Sequence, residues 1–147
     1  MEAIQLLKDD HKKVEKIFSD LENKRDDRRA LFPELDRELT IHAEIEEKIF
    51  YPAAKGAEPT RDLVLESIEE HKQIKMVLSD LEKTDKTTEV WGAALKVLKE
   101  DVMHHVGEEE NELFPKVKKV LSKQQLEDLG TRMEELKMQL LAAVQAR

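Results

Sequence analysis

The chain repeats one helical pattern twice, and this internal repeat limits the fold more than any other feature of the sequence. Residues 10–22 (DHKKVEKIFSDLE) are similar to residues 70–82 (EHKQIKMVLSDLE), and residues 42–52 (HAEIEEKIFYP) to residues 105–115 (HVGEEENELFP). Each copy holds a helix with one histidine, then a helix with an H-x-x-x-E motif that ends in proline. Two similar helical hairpins packed together form a four-helix bundle with a rough two-fold axis.

Apolar residues recur along these segments at spacings of three and four, which is typical of amphipathic helices. The predicted helices cover about residues 2–24, 33–54, 60–83, 91–115 and 122–147. Pro52 is expected to kink or end the second of them. Ser122 and Gln125 form a capping-box pattern, which predicts a last helix that packs on the outside of the bundle with a structural role.

Composition agrees with this fold class. Gly and Pro number only four each, too few for the many turns of a β-sandwich or barrel, and 147 residues suit one domain. We therefore predict a single all-α domain over residues 1–147. It consists of an antiparallel up-down four-helix bundle at roughly residues 1–121 and an additional C-terminal helix at roughly residues 122–147.

Several function classes are excluded by charge and residue types. The net charge of −8 argues against nucleic acid as a partner, because binding phosphates requires a basic face. The sequence lacks long apolar runs and a signal-peptide pattern, which predicts no membrane partner and a cytoplasmic location. It contains no cysteine, so a bound metal ion must take nitrogen and oxygen ligands. The oligomeric state stays open.

Six polar residues interrupt the apolar stripes at positions where a core residue is expected. They are His11, His42, Glu46, His71, His105 and Glu109. A histidine and a glutamate four residues apart lie on one face of a helix. At about 1.5 Å of rise per residue, the helix lengths bring all six side chains near one level of the bundle.

Electrostatics then favour a metal centre. An unpaired carboxylate in a bundle core costs several kcal/mol, so it protonates or finds a cation. Two carboxylates and four neutral imidazoles match a pair of first-row metal ions that the carboxylates bridge. One zinc ion would leave two of the groups unused, and calcium or magnesium would prefer oxygen. Iron is the first candidate and manganese the next.

These residues resemble the hemerythrin-like, or HHE cation-binding, domain family over roughly residues 10–115. The resemblance rests on the order H, H-x-x-x-E, H, H-x-x-x-E and on the endings I-F-Y-P and E-L-F-P. It implies two iron ions (Fe2+/Fe3+) joined by an oxo or hydroxo bridge. The implied ligands are His11 and His42 for one iron, His71 and His105 for the other, and Glu46 and Glu109 as bridging acids.

One departure from the family concerns Lys75. Oxygen-carrying members have a fifth ligand histidine at this position, so both irons here would keep open positions. This implies reaction with peroxide or oxygen, such as catalase-like peroxide decomposition or oxygen reduction, and leaves open whether the chain is an enzyme. The alternatives are reversible oxygen binding or storage, sensing of oxygen, nitric oxide or iron, an iron store, and a metal-free helical adaptor.

Residues around the ligands are also predicted. Glu38 and Asp101 each precede a ligand histidine by four residues and are expected to support it from outside. Lys75 either contacts a ligand at the centre or extends to solvent. His104 is expected at the surface or just outside the ligands, and the position of Tyr51 stays open. The remaining acids expected to face solvent are Glu44, Glu47, Glu108, Glu110 and Glu112.

Overall fold

Five long helices make up the part of the chain that the computed structural model describes, residues 1–24 and 27–145. The simple helices are α1 (Ala3–Asn23), α3 (Glu58–Lys83) and α5 (Lys123–Gln145). The composite helices are α2 (Arg28–Ile45, π-helical Glu46–Phe50, Tyr51–Lys55) and α4 (Glu89–Glu108, π-helical Glu109–Leu113, Phe114–Val120). The all-α prediction is confirmed, and residues 146–147 of the predicted last helix lie outside the described residues.

Short polar side chains start several of these helices. The Oγ of Ser122 accepts a hydrogen bond from the backbone N–H of Gln125, and the Gln125 side chain accepts one from the Ser122 N–H. This pair satisfies two backbone donors at the start of α5, so the predicted capping box is confirmed. Thr88 caps α4 in a similar way by accepting from the N–H of Trp91.

Neither Pro52 nor Pro115 ends its helix, and α2 finishes within one residue of the predicted end. α2 passes through Pro52 to Lys55, and α4 passes through Pro115 to Val120. In each case a π-helical turn comes first, which adds one residue to the turn and opens the α-helical hydrogen-bond ladder. Proline has no N–H to lose and its ring needs room, so it is tolerated directly after such a turn. α2 also begins earlier than predicted, at Arg28, with Pro33 inside its first part.

Two apolar clusters fill the bundle, one on each side of a polar layer. One cluster is built around Phe18, Leu35, Leu81 and Trp91, at the end where α1 finishes and α2 begins. The other lies at the opposite end and joins the start of α1 to the ends of α2 and α4 and to α5. The polar layer between them holds the histidines and glutamates of the repeat. None of the helices within residues 1–24 and 27–145 has the length and apolar character needed to span a bilayer.

Candidate metal centre

All six residues singled out by the repeat meet in this polar layer. α1 contributes His11, α2 contributes His42 and Glu46, and α3 contributes His71. α4 contributes the last two, His105 and Glu109. All six residues are buried, and none is more than 7% exposed. The two glutamates stand at the first residue of the two π-helical turns, so the widened turns lie at the layer itself.

The six side chains form two overlapping groups of donor atoms. In one group, donors of His11, His42, Glu46 and Glu109 all lie within 4.8 Å of one another, and in the other, donors of Glu46, His71 and His105 do. Glu46 belongs to both groups: its Oε1 is 3.2 Å from the Nε2 of His42 and 3.0 Å from the Nε2 of His71.

Glu109 also reaches histidines of both hairpins. Its Oε1 is 3.2 Å from the Nε2 of His11 and 3.4 Å from the Nε2 of His105. Each acid therefore lies between an imidazole of the α1–α2 hairpin and one of the α3–α4 hairpin. Both carboxylates are therefore within reach of a cation held by either hairpin.

Unpaired buried atoms test whether these residues fit a metal. Among the described residues, five buried side-chain nitrogen or oxygen atoms lack a hydrogen-bond partner. Four of them are in this layer, where the close histidine–glutamate contacts lack hydrogen-bond geometry: the Nε2 atoms of His11 and His42, the Oε2 of Glu46 and the Oε1 of Glu109. Unsatisfied buried polar atoms are rare because each costs about 1–3 kcal/mol. Nitrogen and oxygen atoms that lie within 4.8 Å of one another match the ligand types of a first-row metal ion, so the residues fit.

A carboxylate stands behind each of the four histidines. The Nδ1 of His11 donates to Glu110 (2.6 Å) and the Nδ1 of His42 donates to Asp10 (3.0 Å). In the other hairpin, the Nδ1 of His71 donates to Glu47 (3.2 Å). The Nδ1 of His105 donates to Glu70 (2.7 Å). With the hydrogen on Nδ1, the Nε2 lone pair of each ring is free to face the core, and such partners fix the orientation of metal-binding imidazoles.

The four carboxylates connect the helices in a closed ring. Asp10 reaches from α1 to α2 and Glu47 from α2 to α3, while Glu70 reaches from α3 to α4 and Glu110 from α4 to α1. Each of them is the sequence neighbour of a proposed ligand. A residue one position along a helix is rotated by about 100°, so it faces the adjacent helix rather than the core.

This ring corrects the residues predicted to support the ligands. Glu38 and Asp101 are only partly buried, and within the described residues neither side chain hydrogen-bonds to a histidine. A residue four positions before a histidine lies on the same face of the same helix, one turn away. Its side chain therefore runs beside the histidine and does not face the outer nitrogen of the ring. Glu47 and Glu110, which were expected to face solvent, take that part instead.

Lys75 and His104 lie outside the layer. The Nζ of Lys75 contacts both oxygens of Glu47, at 3.1 and 2.9 Å, and its side chain is 47% exposed. It therefore supports His71 only through Glu47. His104 is at the surface, with its Nε2 2.9 Å from Glu108 and 3.6 Å from Glu70.

Tyr51 belongs to the centre, which the sequence left open. Its hydroxyl donates to the Oε2 of Glu109 at 2.6 Å and lies 3.3 Å from the Nε2 atoms of both His71 and His105. Burial raises the pKa of Tyr51 well above its usual value, and the nearby carboxylates of Glu109 and Glu46 raise it further. The repeat offered a signal for this position, because Tyr51 and Phe114 both precede the proline of their motif.

Without a cation, the glutamates share their charge with the histidines. Burial alone would lower the pKa of His42, but the carboxylate of Glu46, together with Asp10, raises it to about 10. The pKa of His105 is raised for the same reason by Glu109, against the effect of burial. Burial would raise the pKa of Glu46, and His42 lowers it well below its usual value. A metal ion would therefore displace protons from these imidazoles.

The additional helix α5 also reaches the centre, although a structural role alone was expected. The Nζ of Lys137 lies 2.6 Å from the Oδ1 of Asp10, the carboxylate that holds His42. Asp10 is buried, and burial would raise its pKa, yet His42 and Lys137 lower it.

Comparisons with known proteins match a cation-binding domain to most of this chain. The model of the Hemerythrin HHE cation binding domain family matches residues 2–117. A solved structure of a Hemerythrin HHE cation binding domain-containing protein from Mycobacterium kansasii superposes with a TM-score of 0.85 at 28% identity, covering 97% of this chain and 89% of that one. A protein named DNA nickase from Nostoc sp. (strain PCC 7120 / SAG 25.82 / UTEX 2576) is 27% identical over 145 residues. That match covers 95% of this chain but 40% of the relative's length.

Proposed function

Because this chain belongs to the hemerythrin HHE cation-binding domain family, we propose that it is a non-haem di-iron protein that reacts with peroxide or oxygen in its core. The observation that carries this proposal is the set of inward-facing donor atoms without partners on His11, His42, Glu46 and Glu109. Together with the Nε2 atoms of His71 and His105, they offer four nitrogens and two carboxylates.

The donor set favours two metal ions over one. His11 and His42 would hold one iron and His71 and His105 the other, while Glu46 and Glu109 would reach both. Two carboxylates neutralise only part of the charge of two cations. The remaining positive charge would favour an additional oxo or hydroxo bridge. Iron is preferred because imidazole and carboxylate ligands together suit it. When bound, a pair of irons supplies two linked one-electron redox steps.

The protein's own residues control what reaches this centre. A cavity of about 30 Å³ adjoins the four histidines. Its other lining residues are mainly apolar: Val14, Leu39, Ala43, Ile74, Leu78, Val102 and Val106, with Thr40 and Lys75 as the polar exceptions. A single water needs about 10–15 Å³ of cavity volume, so this cavity can hold a molecule of two or three heavy atoms. Its size and its mainly apolar walls fit oxygen, peroxide or nitric oxide and leave no room for a larger substrate.

Two features favour turnover over reversible oxygen binding. Lys75 stands where oxygen carriers have a fifth ligand histidine, and its Nζ is engaged by Glu47, so the chain supplies no replacement ligand there. The Tyr51 hydroxyl, held by Glu109, places a proton donor 3.3 Å from two of the proposed ligand nitrogens. Reduction of oxygen or peroxide consumes protons, so a hydroxyl beside the proposed ligands favours turnover.

The test begins with iron-loaded protein and its absorption spectrum in air. Peroxide is then added without a reductant and the evolved oxygen is measured. We expect oxygen evolution from the parent chain and from His104→Gln, whose changed side chain is exposed. We expect none from His105→Gln, the matched variant one residue along. A stable oxygen adduct in the parent chain without any turnover would instead favour reversible oxygen binding, and iron uptake without either reaction would favour sensing or storage.

A further inference from the structure

Two contacts near the start of α1 fix the position of α5 along it. Gly130 lies so close to the first residues of the chain that an added Cβ would collide with the backbone oxygen of Met1 and approach the backbone of Ala3. The N-terminal ammonium group also lies 3.1 Å from the Oε1 of Glu134. Glycine at this position therefore permits a close approach, and α5 cannot slide along α1 without losing it.

Lys137 follows Gly130 on the same face of α5, two helical turns further along. Asp10 follows Ala3 by the same number of residues on α1, so the two helices run parallel and in step. The resulting ion pair is largely shielded from water, with side chains 19% and 4% exposed. Water and salt screen such a pair much less than a pair at the surface.

Both oxygens of Asp10 are therefore occupied. Oδ1 contacts the Nζ of Lys137, and Oδ2 accepts the hydrogen bond from the Nδ1 of His42. The partners of the carboxylates behind the other hairpin are more exposed: Glu47 contacts Lys75, which is 47% exposed, and Glu70 contacts His104, which is 66% exposed. Only at Asp10 does a mostly buried cation fix the carboxylate, within the described residues.

We propose that α5 contributes to the metal centre through Lys137. Lys137 is a positioning residue that fixes Asp10, and Asp10 in turn fixes His42. Lys137 thereby sets the metal affinity of the His11–His42 subsite. This rests on the proposed function in assuming that two metal ions bind. α5 lies outside the range matched by the family model, so the family pattern does not assign it this part. An imidazole held in place binds metal more tightly, because less orientational freedom is lost on binding.

The test compares Lys137→Met with Lys137→Arg, which keeps the charge, and with Lys123→Met, an exposed lysine of the same helix. Metal-free protein is titrated anaerobically with Co2+, whose visible absorption reports each bound ion. Losing a hydrogen-bond partner behind a ligand typically weakens metal binding about 10–100-fold. Because Lys137 is one contact further out, we expect one of the two Co2+ ions to bind about 10-fold more weakly in Lys137→Met. The other ion, the Arg variant and Lys123→Met should match the parent chain.

A double variant separates positioning from simple support of the fold. If Lys137 acts through Asp10, adding Asp10→Asn to Lys137→Met should weaken that one ion little more than Asp10→Asn alone. Unchanged binding of both ions in Lys137→Met overturns the inference. So does an equal weakening of both ions that follows a lower unfolding temperature of the metal-free variant. A parent chain that binds fewer than two ions would instead overturn the proposed function, before any variant is compared.

Discussion

The two proposed metal subsites share the same types of residue but have different surroundings. The His71–His105 subsite has the phenol of Tyr51, which donates to Glu109 and lies within 3.3 Å of both imidazoles. The matching residue at the His11–His42 subsite is Phe114, which stacks on His11 without a hydroxyl. On the outer side, a largely buried lysine secures the carboxylate behind His42, whereas an exposed lysine contacts the one behind His71. The repeat places the same residue types in both proposed subsites, and residues outside the repeat pattern make their surroundings unequal.

Glu46→Gln should have the largest effect on metal binding, since Glu46 contacts both proposed subsites. Glu46 contacts histidines of both hairpins, and a neutral amide offers a weaker ligand and no bridging charge. We expect metal uptake to fall from two ions per chain to one or none, with affinity reduced by more than about 100-fold, beyond the range of an outer partner.

Metal analysis after dialysis measures this loss. The matched control is Glu44→Gln, two residues earlier on the same helix, where the carboxylate pairs with Lys48 at the surface. If Glu46→Gln kept both ions with parental affinity, Glu46 would not be shared and the two subsites would be independent.

The metal-free protein should lose stability as pH rises, because each helical hairpin holds a histidine with a raised pKa. The pKa of His42 is about 10 in the folded chain against 6.5 for a free histidine. Its contribution to stability is therefore complete below about pH 6.5 and disappears as pH rises through about 10. The pKa of His105 is shifted in the same direction.

Urea unfolding of the metal-free protein across this pH range should show a decrease on the order of 5 kcal/mol from His42 alone, since its pKa is raised from 6.5 to about 10 and one pKa unit corresponds to about 1.4 kcal/mol. The metal-loaded protein should show a smaller decrease, because its imidazoles are already deprotonated. Equal pH dependence with and without metal would mean that these histidines do not bind it.

Exchanging the aromatic residues should sharpen the comparison. Tyr51→Phe removes the hydroxyl from one subsite and leaves the Oε2 of buried Glu109 without its donor. We expect the metal-free protein to lose about 1.5–3 kcal/mol of unfolding free energy, the usual value of a hydrogen bond to a charged group. Peroxide turnover should also slow, whereas Phe114→Tyr should not restore it in the double variant. Parental turnover in Tyr51→Phe would exclude the phenol as the proton donor.

Lys75→Met should have the smallest effect. Its ion pair with Glu47 is partly exposed, and such pairs contribute about 1 kcal/mol or less. We expect the unfolding free energy to change by under about 1 kcal/mol, and the affinity for both metal ions to stay close to that of the parent. A larger loss of metal affinity than in Lys137→Met would reverse the order of the two subsites.

The sequence could predict features that are visible within a single helix, but not contacts between helices. The ligands were accessible because a histidine or glutamate in an apolar stripe is visible within one helix, and the repeat showed it twice. The π-helical turns were missed because proline was read with rules for α-helices, although both prolines follow such a turn. Glu47 and Glu110 were expected to face solvent, because sequence spacing places each on its own helix but does not show the neighbouring helix that it reaches.

Lys137 had no local signal at all. It meets Asp10 across nearly the whole length of the chain, and that contact depends on how α5 docks through Gly130. The same charged residue on an undocked helix would look like any solvated lysine. Sequence patterns therefore found what each helix places in the core, while the links between helices required the structure.

The central claim is that two metal ions, shared by two carboxylates, account for six buried polar side chains. Anaerobic titration of metal-free protein with Fe2+, followed by exposure to air and iron analysis, tests it most directly. We predict an endpoint of two iron ions per chain, with an absorption spectrum of a bridged ferric pair after oxidation. A fully folded protein that takes up no iron, or that saturates with a single ion, would contradict the claim.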